Sequence, residues 1–146
     1  MASKWYNKGL SSVLGGSVNL ISDTIKVMLV TPSYTFVATH NFVSDVVANE
    51  VSGSGYTGGF GGAGRKALAS RVVTQDDTNN RGWFDAADLL WSAVTINIGG
   101  AIVFKELTND TLSPIIAFLD PSDLNVTGTD VSCVFNATTG IIYFQG

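Results

Sequence analysis

Residues 52–64 read SGSGYTGGFGGAG, and this run divides the chain into two kinds of pattern. Glycine loses more conformational freedom on folding than any other residue, so a cluster this dense interrupts regular structure. Upstream of it, helical spacings alternate with one strand. Residues 4–15 place Trp5, Gly9 and Val13, with Leu10 and Leu14, at helical spacing, which predicts a short amphipathic helix stopped by Gly15 and Gly16. Gly9 should weaken that helix by about 1 kcal/mol relative to alanine. Residues 23–31 alternate Ile25, Val27 and Leu29 with Lys26, Met28 and Val30. Both sets are largely apolar, so a strand covered on both faces is expected, ended by Pro32. Residues 39–51 set Phe42, Val43, Val46 and Val47 against Ser44, Asp45, Asn49 and Glu50. That predicts a second short helix, with Thr39 or Asn41 as its cap.

Downstream of the glycine run the pattern turns to short strands, at 65–75, 82–85, 89–98, 100–106, 115–119, 129–135 and 140–144. Turn clusters at 76–80, 108–110 and 120–123 separate them. Strands at this spacing indicate an antiparallel sandwich or barrel. The expected fold is mainly β (α+β): one domain over residues 1–146, an antiparallel β-sandwich or barrel with one or two short N-terminal helices.

The chain is 45% hydrophobic and only 14% charged, with a mean hydropathy of +0.27. That is more apolar surface than one small domain needs for its own core, and a surplus of this kind marks an interface. A net charge of −4 argues against nucleic acid, whose binding needs concentrated Lys and Arg. Lys4 with Lys8, and Arg65, Lys66 and Arg71, are the only local basic groupings. No apolar run approaches the roughly 20 residues of a membrane-spanning helix. No secretory leader stands out, so synthesis in a cytoplasm is expected. The Asn-x-Thr triplets at Asn109, Asn125 and Asn136 read as turn and strand chemistry.

Chemistry-bearing motifs are sparse. Residues 53–58 and 59–64 both spell G-x-G-x-x-G, but a helical pattern precedes them and a strand pattern follows. That is the reverse of the order a dinucleotide site needs. Gly64-Arg65-Lys66 lacks the Gly-Lys-Ser/Thr of a phosphate loop. Tyr56 and Phe60 ride on this stretch, either as an interaction arm that orders on docking or packed down on their own domain. Asp85 and Asp88, beside Trp83 and Trp91, could flank a sugar bond, but read better as a turn with core tryptophans. Residues 76–80 are oxygen-rich without the spacing of a calcium loop. His40 has a solvent-facing or capping position, and Cys133 alternates with Val131 and Phe135 as a small buried residue. One Cys and one His exclude a disulfide within the chain and the usual structural zinc sites. No catalytic, cofactor-binding or metal residue is expected, and no enzyme.

The ordered series of segments resembles a family of small structural proteins of tailed-bacteriophage virions. The residues that carry the resemblance are Asp23–Thr31, His40–Val51 and Gly53–Gly59, then Asp85–Trp91, Val103–Lys105, Ser113–Ile116 and Thr139–Ile142. Residues 60–64, richer in glycine, and 97–100 depart from its pattern. The resemblance implies a virion protein and supplies no catalytic residues. The expected function is capsid decoration (cement): binding between capsomers, as a homotrimer or other homo-oligomer, with the major capsid protein or other virion proteins as partner. The alternatives are a tail, neck or fibre component, or a carbohydrate-binding module. Candidate contact residues are Trp5, Tyr6, Leu10, Phe36, Tyr56 and Phe60, since aromatic side chains favour interface anchors.

Overall fold

The computed structural model describes residues 2–136 and 138–145. Its elements run β1 (Ala2–Trp5), α1 (Asn7–Leu14), β2 (Ile25–Val30), β3 (Lys66–Ala67), β4 (Val72–Asp76), β5 (Arg81–Asp85), β6 (Leu89–Ile98), β7 (Gly100–Lys105), β8 (Ile115–Asp120), β9 (Leu124–Cys133) and β10 (Ile142–Gln145). They form three antiparallel sheets, ordered β1-β8-β7-β2-β3, β10-β5-β4 and β6-β9. The mainly β, sandwich-like α+β fold expected from the sequence is the fold observed.

The five-stranded sheet is the middle layer, which explains the nearly continuous apolar runs of β2, β7 and β8. On one face Ile25, Val27, Leu29, Ala101, Val103, Ala117 and Leu119 pack against Trp91, Val94, Ile96, Val126 and Val131 of β6-β9 and against Phe84 and Ile142 of the third sheet. On the other, Met28, Val30, Ile102, Phe104, Ile115 and Phe118 are covered by Tyr6, Val43 and Val46, with Tyr34 and Phe36 at the margin. Strand β8 carries a bulge: Val103 pairs with Ala117 but Phe104 pairs with Ile115. Ile116 is the extra residue, and it joins Ala117 in the larger core.

Helix α1 is seated on that bulge. The amide of Tyr6 donates to the Ile116 carbonyl at 3.1 Å. A Cβ on Gly9 would lie 2.4 Å from both the Cα and the carbonyl oxygen of Ile116. Glycine is there because helix and strand backbones touch.

Two expected elements differ. The N-terminal helix begins at Asn7, not residue 4, because residues 2–5 pair with β8 in the register Ala2↔Asp120 to Trp5↔Ala117. The expected helix over 39–51 is two single 3-10 turns, Val43–Asp45 and Val47–Asn49, separated by Val46 at φ −121°. Bridges Phe42↔Pro114 and Val30↔Glu50 hold this segment to neighbouring strands. Its start is tied by the Asp45 carboxylate, which accepts the amides of Asn41 (2.8 Å) and Phe42 (3.1 Å), rather than by Thr39 or Asn41 as cap. The spacing of Val43 and Val46 still serves burial, since both are fully covered.

Candidate functional site

Three walls enclose an open apolar groove of about 350 Å³. Trp5, Val13 and Gly16 form one side, the turn Val18–Ile21 another, and Val73, Gly82, Trp83, Phe84 and Ile142 the third. Among the described residues of the lining, Asn19 supplies the only amide side chain, beside the indoles of Trp5 and Trp83, and none is charged. The turn is held by its own polar atoms. Asn19 Oδ1 accepts the amides of Ile21 (2.9 Å) and Ser22 (3.1 Å), while Asp23 Oδ2 accepts that of Asn19 at 2.7 Å. Arg71 Nη1 donates to the carbonyls of Leu20, at 3.0 Å, and Asp23, clamping the turn to the start of β4. Lys105 Nζ lies 2.8 Å from Asp23. That contact, with the Asn19 amide, holds the Asp23 carboxyl below its ordinary value. Ile21 and Val73 remain 46% and 61% exposed over this fixed frame.

A second fixed feature is the glycine-rich loop. At its root Arg65, 4% exposed, makes two bonds to Glu50 (Nε–Oε1 2.9 Å, Nη2–Oε2 2.7 Å). It makes two more to Asp110 (Nη1–Oδ1 2.6 Å, Nη2–Oδ2 3.0 Å). Burial alone would lower the guanidinium pKa; the hydrogen bonds and charges of the two carboxylates outweigh it and raise it. Tyr56 donates its hydroxyl to Glu50 at 3.1 Å and accepts the Leu29 amide at 3.0 Å. Burial and the Glu50 charge push its pKa up. Gly59 donates its amide to Glu50 at 2.9 Å, and the Gly64 carbonyl accepts the indole N–H of Trp91 at 2.7 Å. Beyond this anchorage Gly59–Gly62 closes a turn (Gly62 N to Gly59 O, 2.9 Å) with Gly61 at φ +76°, a conformation that suits glycine. Phe60 stands on it, 53% exposed.

The candidate contact residues therefore part company. Trp5 is half-buried in the groove wall and Phe60 is exposed on its turn. Leu10 is half-buried. Phe36 is wedged between Tyr6 and Phe118, with ring centroids 5.0 and 5.9 Å away. Tyr6 and Tyr56 are corrections: at 0% and 2% exposure neither reaches the surface. Tyr6 instead shares a 2.7 Å hydrogen bond with Tyr34 beneath the sheet, and burial together with that bond raises its pKa. The loop carrying Tyr56 is a tightly tied connection, not a loose arm.

Asp88 accepts the Phe135 amide at 2.8 Å. Trp91 is buried, whereas Trp83, expected in the core, is only half-buried beside the groove. His40 lies 3.4 Å from the Tyr34 hydroxyl, and Cys133 is buried, its thiol pushed up to about 11 by burial and by Asp88. Among the described residues no group of three or more His, Cys, Asp or Glu is placed to hold a metal ion, and no helix is long and apolar enough to cross a membrane. Ile21 and Val73 were not anticipated as exposed apolar positions. The one signal was the pair Val72-Val73, two apolar neighbours on a strand whose faces point opposite ways. No protein-family model matches this chain, no curated protein matches it in sequence, and no solved structure gives a significant match.

Proposed function

We propose that this chain is a structural protein of a bacteriophage virion, a capsid decoration protein that binds between capsomers and associates with copies of itself. The observation that carries the reading is an uncharged apolar groove left uncovered on a body whose loops are otherwise pinned. A rigid frame with exposed apolar positions loses little conformational entropy on docking. Covering such surface yields about 25 cal/mol per Å² before association costs, and repetition over many shell sites multiplies the effect. Phe60, held on its turn, fits the role of an aromatic anchor. The order of segments along the chain, which resembles small tailed-phage proteins, supports the same reading.

Counting copies in purified particles by quantitative mass spectrometry tests it. Hundreds per virion are expected; a few to tens would move the chain to a tail, neck or fibre part, and absence from particles would refute a virion role. Trp5 and Trp83 on the groove wall favour sugar binding as a second reading, but a lining this apolar offers few partners for hydroxyl groups. Binding on a glycan array would revive it.

A further inference from the structure

Strand β4 lies at the edge of its sheet, and its first half is not protected in the usual ways. Edge strands are commonly short, charged or broken by proline. Here Val72 and Val73 are 47% and 61% exposed, and the strand is five residues long. Val73 also borders the apolar groove, so an open row of backbone donors and acceptors adjoins an apolar surface. That combination suits an added strand, whose main chain supplies hydrogen bonds and whose alternate side chains supply contact.

The sequence of the edge is self-complementary. Arg71 precedes Val72-Val73-Thr74, and Gln75, Asp76 and Asp77 follow. We propose that β4 pairs antiparallel with β4 of a second copy about a two-fold axis at Val73, joining two three-stranded sheets into one of six strands. In this register Val73 faces Val73 and Val72 faces Thr74 on either side. These are pairs of β-branched residues, which stabilise cross-strand contacts. Arg71 faces Gln75 of the other copy, with Asp77 on its diagonal, so a guanidinium whose Nη1 is held by the Leu20 and Asp23 carbonyls sets a positive charge near a carboxylate across the pair. Parallel pairing would instead set like charges side by side. The two-fold also brings the two grooves to the same junction, where both Val73 side chains become covered. An isologous contact of this kind closes on itself and stops at two copies. The inference stands independently of the virion reading.

Cysteine cross-linking in the full chain tests the register. Facing residues of an antiparallel pair lie within disulfide range, so Val73→Cys is expected to form a linked dimer at least tenfold faster than Thr74→Cys, whose partner would be Val72. The native Cys133 is buried. In parallel, Val73→Asp sets two carboxylates against each other and is expected to weaken dimerisation at least tenfold by sedimentation. Its unfolding midpoint, measured at a concentration low enough for both proteins to be monomeric, should stay that of the parent, since Val73 is 61% exposed in the single chain. A parent chain that sediments as a monomer at every concentration, or Thr74→Cys linking as fast as Val73→Cys, would overturn the proposal. The monomeric outcome would leave the edge to a strand from a different protein.

Discussion

Replacing Gly9 by alanine sets two physical effects against each other with opposite signs. Helix propensity alone favours alanine by about 1 kcal/mol, so an isolated α1 would gain. In the folded protein the new Cβ would meet the Cα and carbonyl oxygen of Ile116 at 2.4 Å. Ordinary carbon contacts begin about 1 Å farther out, and both partners are backbone, which cannot rotate aside. The helix must lift from β8, and lifting it stretches the 3.1 Å bond from the Tyr6 amide to Ile116. Overpacking of this kind costs about 1–3 kcal/mol, and a buried amide losing its acceptor adds about 1 kcal/mol or more. Net destabilisation of about 1–3 kcal/mol is expected after subtracting the propensity gain. Urea unfolding followed by tryptophan fluorescence should show a lower midpoint with an unchanged slope. Thermal melting should fall by about 2–4 °C per kcal/mol for a domain of this size. A midpoint at or above that of the parent would refute the close backbone contact as the reason for glycine.

Arg65→Met strands Glu50 and Asp110 without their shared cation, and a loss of about 3–5 kcal/mol in unfolding free energy is expected, as for one partner removed from a buried pair. Asp23 and Asp45 have pKa values below the ordinary 3.8, Asp23 through Lys105 and the Asn19 amide, Asp45 through the amides of Asn41 and Phe42. Depressed folded-state values give stability that is complete above the ordinary carboxylate range and is lost as pH falls through the lowered values. Acid titration of the melting temperature should show that decline, and Asp45→Asn should flatten it. Cys133, buried and with its thiol pushed up to about 11, should react with a thiol reagent near pH 7 only as fast as the protein opens. Rapid labelling in native buffer would contradict its placement.

How much of this was legible beforehand depends on whether a feature is written locally. The double-faced apolar pattern of β2 foretold a strand covered on both sides, because side-chain alternation is a property of the strand itself. The turn clusters located most of the later strands for the same reason. The segment around Val43 and Val46 misled because a three-residue spacing suits an α-helix and successive 3-10 turns alike. What decided between them was the Asp45 carboxylate and bridges to residues far along the chain. Residues 4 and 5 were drawn into the helical pattern because their pairing partner, β8, lies more than a hundred residues away. The contact set Glu50, Arg65 and Asp110 had no local signature, and neither did the groove, which unites residues from 5 to 142. Glycine at position 9 looked like a weakness of the helix; its reason sits on another strand.

The placement of β1 beside β8 has a temporal consequence. The middle sheet cannot acquire its outermost strand until residue 120 has been synthesised, so the first strand waits through most of translation without its neighbour. β2 also waits, since β7 runs from Gly100 to Lys105. Closing such long-range pairings is slow compared with helix formation, and an apolar strand held open invites wrong partners. Emergence of β7 and β8 from the ribosome therefore sets the earliest moment at which the strands of the middle sheet can all pair, and one of its apolar faces still waits for β9 and β10.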